Sequence, residues 1–119
     1  METKQKVIYL DGAMGTQIQE KGLAIGERPE AFMMKHPECI VDIHRAYVES
    51  GSEILYANTF GANAKKLKNS GYTPTEVITM AITLAQKAAD GHAQVALDIG
   101  PLGEMLEPNG YLSFAQAYT

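Results

Sequence analysis

Three polar breaks in the sequence, each directly after a short apolar run, offer the residues best suited to binding a ligand. The first places a carboxylate and two glycines after Leu10, and glycine lets a ligand approach the backbone closely. Each break also has a structural alternative: a simple Asp-Gly turn, a loop cap at Asn58, and an orienting role for Asp98. The three breaks read Asp11-Gly12, Asn58-Thr59, and Asp98 followed by Gly100.

Apolar runs and amphipathic stretches alternate along the chain, and this alternation positions the three breaks. Buried strands are predicted near 6–10, 53–57 and 94–99, and amphipathic helices over 37–50 and 74–90. A β-α-β-α-β order is typical of a parallel sheet with right-handed crossovers. We therefore expect the strands to lie in the order 1-2-3, with both helices on one side. Because parallel strands end at the same edge of a sheet, the three breaks should share one rim.

Capping signals and glycines indicate where the other elements begin and end. Thr73-Pro74-Thr75-Glu76 has the form of a capping box, and Ser113 can cap a last helix. The segment 22–36 contains two glycines and a proline and lacks a clear period, so it is predicted to be a long connection. A connection of that length in a compact domain is often functional. Shorter helical segments are predicted over 13–21, 29–34 and 62–70.

Composition excludes several classes of protein. The 119 residues are 45% apolar and 20% charged, which is typical of one small globular domain. A net charge of -4 argues against nucleic acid or an anionic membrane as the main partner. A single cysteine rules out an internal disulfide framework and indicates a reducing compartment. The N-terminal apolar run is too short for a signal peptide or a membrane span, so a cytoplasmic protein is expected.

The residues that could bind a metal are few and scattered. His36 and Cys39 have the spacing of a ligand pair, but they lie at a helix start opposite the expected rim. Cys39 is therefore predicted to be a helix-side residue. His44 lies within an apolar helix face and is predicted to be a hydrogen-bonded core histidine, whereas His92 follows Gly91 and should be solvated. No metal ligand and no catalytic residue is assigned to this chain.

Three segments together resemble the homocysteine S-methyltransferase family, in particular the N-terminal homocysteine-binding barrel of bacterial cobalamin-dependent methionine synthases. They are LDGAMGTQIQE at 10–20, IHRAYVESGSEILYANTFGAN at 43–63 and LDIGPLGEMLEP at 97–108. The resemblance implies a TIM (β/α)₈ barrel that binds zinc and homocysteine at its C-terminal rim. In that family zinc deprotonates the homocysteine thiol, which has an ordinary pKa of about 8.5, and the thiolate accepts a methyl group.

The resemblance also assigns substrate contacts to the three breaks. It places Asp11 and Gly12 at the rim of strand one, near the amino acid part of homocysteine. The zinc ligands of the family are three cysteines from late barrel strands, which would lie beyond Thr119. We therefore expect this chain alone to bind no zinc tightly and to transfer no methyl group. The remaining implied contacts are Asn58, Thr59 and Phe60 at strand two, and Asp98 and Gly100 at strand three.

A barrel of this kind needs roughly 250 residues, so residues 1–119 are expected to form an N-terminal part of the homocysteine-binding domain, truncated after strand three. The implied partners are the rest of the barrel and, in a methionine synthase, folate and cobalamin domains. Three alternatives stay open for the methyl donor: betaine, S-methylmethionine, or methylcobalamin that receives its methyl group from a folate. Two alternatives also stay open. One is a non-catalytic half-barrel that forms homo-oligomers through its open sheet edges, and the other is a small, complete flavodoxin-like binding protein.

Overall fold

A computed structural model describes residues 6–118 as an α/β structure with a small parallel sheet. None of its helices in this range is long and apolar enough to cross a membrane. The helices and strands are α1 Gly15–Glu20, α2 Pro29–Lys35, α3 Pro37–Glu49, β1 Ile54–Tyr56, α4 Pro74–Ala89, β2 Gln94–Ala96 and α5 Phe114–Tyr118.

The sheet confirms the predicted parallel order. β1 pairs in parallel with β2, with Leu55 opposite Val95, and Leu10 forms a parallel bridge to Ile54 on the other side of β1. The predicted strand over 6–10 is reduced to this one bridge, and the strands predicted over 53–57 and 94–99 are each three residues long. Among the described residues, the segment 6–10 pairs only with β1, and residues 7–10 are 49–66% exposed. A longer ladder would therefore gain little stabilisation from burial.

Helices α3 and α4 pack on each other and against β1, which confirms that they lie on one side of the sheet. Leu55 is fully buried, and its registered neighbour Val95 packs against the helix core. The burial pattern of β1 therefore places Leu55 on the side that the helices cover, and Tyr56 is exposed. The apolar stripe predicted for α4 is buried throughout and consists of Val77, Ala81, Leu84, Ala85 and Ala88.

The predicted capping box at Thr73 and the predicted cap at Ser113 are both formed. The Thr73 hydroxyl accepts a hydrogen bond from the Glu76 N–H at 3.2 Å, and the Glu76 carboxylate accepts from the Thr73 N–H at 3.3 Å. Ser113 and Gln116 form the equivalent pair at the start of α5. These bonds satisfy N–H groups that have no partner within the helix, and they fix where α4 and α5 begin.

The helix predicted over 62–70 is wrong. Residues 64–69 form a series of turns, in which Leu67 donates to the Asn63 carbonyl at 3.0 Å. The Asn63 side chain accepts from the Lys66 N–H at 2.8 Å, and Asn69 has a positive φ of 66°. The Asn63 side-chain bond is of the kind that begins a helix, but the positive φ of Asn69 is incompatible with a continuing right-handed helix. So short a segment gains little from helix propagation.

Candidate functional site

A cavity of about 490 Å³ lies where the carboxyl ends of the strands meet. The loop after Leu10, the loop after β1 and the first turn of α2 form its walls. Thr59 and Gly100 lie behind this rim and do not line the cavity, so their predicted contact with a substrate stays a prediction. The structure brings five of the seven predicted residues to the cavity: Asp11, Gly12, Asn58, Phe60 and Asp98.

Asp11 brings a partly buried carboxylate to the end of the first strand. Its Oδ2 accepts a hydrogen bond from the Tyr56 N–H at 3.1 Å, which fixes the side chain against β1. Burial raises the pKa of Asp11, the Tyr56 N–H opposes that shift, and the nearby charge of Asp98 adds to it. Two carboxylates therefore face the same cavity and favour a cationic group between them.

Gly12 is required by the close approach of Tyr47 from α3. The Tyr47 hydroxyl donates to the Ala13 carbonyl at 2.7 Å, and a Cβ on Gly12 would lie 2.9 Å from the hydroxyl oxygen. Burial raises the pKa of Tyr47, and the negative charge of Asp11 adds to the shift. Sequence reasoning missed this contact, although a partly buried tyrosine hydroxyl usually has a hydrogen-bond partner.

Asn58 lines the cavity, but its side-chain amide is used within the fold. Its Nδ2 donates to the Pro29 carbonyl at 3.2 Å and lies 3.7 Å from the Met33 sulfur. These contacts join the loop after β1 to the first turn of α2. Asn58 therefore positions the wall of the cavity, and its amide oxygen is the group left for a ligand.

Thr59 and Gly100 hold the rims of β1 and β2 together. The buried Thr59 hydroxyl donates to the Asp98 carbonyl at 2.6 Å and accepts from the Asp98 N–H at 3.0 Å. A Cβ on Gly100 would collide with the Phe60 carbonyl oxygen, so only glycine allows this approach. The two contacts fix the backbone that presents Asp98 and Phe60 to the cavity.

Glu30 is a cavity residue that sequence reasoning missed. It lies in the first turn of α2, is 3% exposed, and accepts a hydrogen bond from the Gly61 N–H at 2.7 Å. The only signal for it was that the long connection 22–36 was expected to be functional. A buried carboxylate is rare unless it has partners, so the bond to Gly61 shapes the turn after Phe60.

The histidines and the cysteine do not form a metal centre. Within residues 6–118, no group of three or more His, Cys, Asp or Glu side chains could hold a metal ion. Cys39 is partly buried against the helix core, and His36 and His92 are exposed, as expected. His44 is in the core, but the prediction that it is hydrogen-bonded is wrong, because neither of its ring nitrogens has a partner among residues 6–118. Burial lowers the pKa of His44 to about 4.

Comparisons with known proteins identify the family. The family model described as homocysteine S-methyltransferase matches residues 8–119. The chain is 36% identical over 69 residues to methionine synthase of Mycobacterium leprae, covering 53% of this chain and 6% of that protein. It is 28% identical over 106 residues to betaine–homocysteine S-methyltransferase 1 of Bos taurus, covering 88% of this chain and 25% of that protein.

A solved structure shows a similar fold. The homocysteine methyltransferase MmuM from Escherichia coli, in its metallated form, superposes with a TM-score of 0.74 at 24% identity. The match covers 84% of this chain and 40% of that one, so the chain spans well under half the length of the proteins it resembles. From the extent of the family match, this chain belongs to the homocysteine S-methyltransferase family.

Proposed function

We propose that this chain supplies the homocysteine-binding part of an enzyme that methylates homocysteine to methionine. The observation that carries the proposal is the gathering of Asp11, Asn58, Phe60 and Asp98 around one cavity at the strand ends. Ligands of parallel α/β folds bind at that end of the sheet. We further propose that the three parallel segments are the beginning of a (β/α)₈ barrel.

The charges around the cavity suit an amino acid. The carboxylates of Asp11 and Asp98 would attract the ammonium group of homocysteine, and Phe60 would form an apolar wall for its methylene groups. Gly12 lines the same cavity, so its backbone would lie near the polar end of the ligand. These residues bind and orient the substrate in the proposal, and none of them carries a chemical step.

Zinc is implied by the family resemblance, but the side chains described here do not provide a ligand set for it. When bound in the complete domain, zinc would deprotonate the homocysteine thiol, so that it is a thiolate at neutral pH. We propose that its ligands lie outside this chain, and we assign it no residue within 6–118. A cobalamin methyl carrier is likewise proposed only for a parent enzyme of the methionine synthase type.

The rest of the barrel is the partner that we propose for the uncovered side of the sheet. Apolar side chains are exposed there and along the first strand segment, where Ile8 and Tyr9 are more than half exposed. A second copy of the chain is the competing partner, since open strand edges can also pair with one another.

Calorimetric titration with L-homocysteine under reducing conditions tests the binding proposal. We expect saturable binding with one ligand per chain, and about tenfold weaker binding by Asp11→Asn, because a charge-assisted hydrogen bond to the ammonium group is lost. Asp42→Asn is the matched control, since Asp42 is exposed on α3 and remote from the cavity walls. Folded chain that binds no homocysteine, or equal weakening by both substitutions, would show that the cavity is not the proposed site.

A further inference from the structure

Lys66 is held in a defined place at the cavity by the turns that replace the predicted helix over 62–70. Its N–H donates to the Asn63 side chain at 2.8 Å, which fixes the backbone at this point. The neighbouring Lys65 forms an ion pair with Glu104 and so joins the turn to the segment after β2. Lys65 and Lys66 thus have different environments, and only Lys66 lines the cavity.

The Lys66 side chain lies between an aromatic ring and a backbone turn. Its Nζ is 4.8 Å from the centroid of the Phe60 ring, a cation–π distance. Its Cε lies 3.9 Å from where a Cβ on Gly103 would be, so the stem runs along the turn at that glycine. These contacts restrict the positions that the ammonium group can adopt and hold it near the cavity.

The ammonium group is available to a ligand. None of the ion pairs among residues 6–118 includes Lys66. The cavity is also lined by the carboxylates of Asp11, Glu30 and Asp98, which favour the cationic end of a zwitterion. Arg28 is the other cation in the lining, but it is exposed, whereas Lys66 is partly buried and held against Phe60.

We infer that Lys66 binds the carboxylate of the ligand that occupies this cavity. The inference rests on the proposed function and adds a specificity residue to it. A carboxylate can come from two sources here: the α-carboxylate of homocysteine, or the carboxylate of a methyl donor that carries one. In either case the ammonium group selects ligands that have a carboxylate over analogues that lack it.

Three probes and three variants test the inference by calorimetric titration. The probes are L-homocysteine, 3-aminopropane-1-thiol, which keeps the thiol and the ammonium group without the carboxylate, and glycine betaine. Lys66→Met removes the charge and keeps the stem, and Lys66→Arg keeps the charge. Lys68→Met is the matched control, because Lys68 is exposed on the same turn and does not line the cavity.

We expect Lys66→Met to weaken binding of one carboxylate probe about tenfold and to leave binding of the aminothiol unchanged. Lys66→Arg should recover most of the loss, and Lys68→Met should have no effect. A loss confined to homocysteine assigns Lys66 to the α-carboxylate, and a loss confined to betaine assigns it to the methyl donor.

Two results would overturn the inference while leaving the proposed function intact. One is equal weakening of homocysteine and aminothiol binding, which would mean that Lys66 only packs the cavity wall. The other is unchanged binding of both carboxylate probes to Lys66→Met. Absence of any homocysteine binding by the unaltered, folded chain would instead refute the proposed function, and the betaine titration would then still test Lys66. In that case the inference about Lys66 is also refuted if Lys66→Met leaves betaine binding unchanged. It is refuted too if the unaltered chain does not bind betaine.

Discussion

Replacing His44 by leucine should stabilise the folded chain and remove much of its sensitivity to mild acid. His44 is fully buried on α3, and neither ring nitrogen has a hydrogen-bond partner in the part of the chain that the structure describes. A buried polar group without a partner costs about 1–3 kcal/mol, and leucine has a similar volume and a better helix propensity. We therefore expect His44→Leu to raise the free energy of unfolding by about 1–2 kcal/mol at pH 7.

The effect should grow as the pH falls. Burial lowers the pKa of His44 in the folded chain to about 4, against an ordinary value of 6.5. Between pH 4 and pH 6.5 the unfolded chain binds more protons than the folded chain does. The free energy of unfolding is therefore at its full value above pH 6.5 and decreases as the pH falls toward 4. The free energy of unfolding decreases by about 2 kcal/mol from pH 7 to pH 5, and by about 3 kcal/mol in total below pH 4.

Urea unfolding at pH 7 and pH 5 measures this difference. His92→Leu is the matched control, because His92 is exposed and lies outside the core. The unaltered chain and His92→Leu should lose about 2 kcal/mol more than His44→Leu over this range. Equal losses in all three proteins would mean that His44 is not held neutral in the core.

Two further predictions concern the rim and the uncovered sheet. Gly100→Ala should lower the free energy of unfolding in urea by about 1–3 kcal/mol, because the new Cβ would collide with the Phe60 backbone. Gly15→Ala is the control and should not lower it, because a Cβ at Gly15 would have no atom within 4 Å. The folded chain by itself should self-associate, since apolar residues such as Ile8 and Ile99 are 55% and 85% exposed. Sedimentation at low micromolar concentration that shows a compact monomer would contradict this.

Much of the architecture could be predicted because it depends on local patterns. The alternation of apolar runs and amphipathic stretches was enough to predict the parallel order. The capping box at Thr73 was visible in a four-residue motif, and Ser113 was recognisable as a cap. The gathering of Asp11, Asn58 and Asp98 followed from one rule, that parallel strands end at the same edge of a sheet.

The remaining features depend on contacts between distant parts of the chain. Glu30 contacts Gly61 across 31 positions, and Tyr47 contacts Ala13 across 34. A pattern can assign Tyr47 or His44 to a helix face, but it does not indicate which polar atoms meet there. The missing helix over 62–70 has a local cause, the positive φ of Asn69, but asparagine is tolerated often enough in helices that this effect was not apparent.

Three hydrogen-bonded contacts determine the shape of the cavity. Tyr47 holds the loop after the first strand, Glu30 holds the turn at Gly61, and the Thr59 hydroxyl holds the backbone of Asp98. Each contact joins one wall of the cavity to an element at least 31 positions away, so the walls are fixed when the chain folds. A ligand entering the cavity then loses little affinity to the ordering of loops. That preformed geometry is the physical reason to expect that recognition of the amino acid depends on this chain, even though zinc ligands are proposed to lie elsewhere.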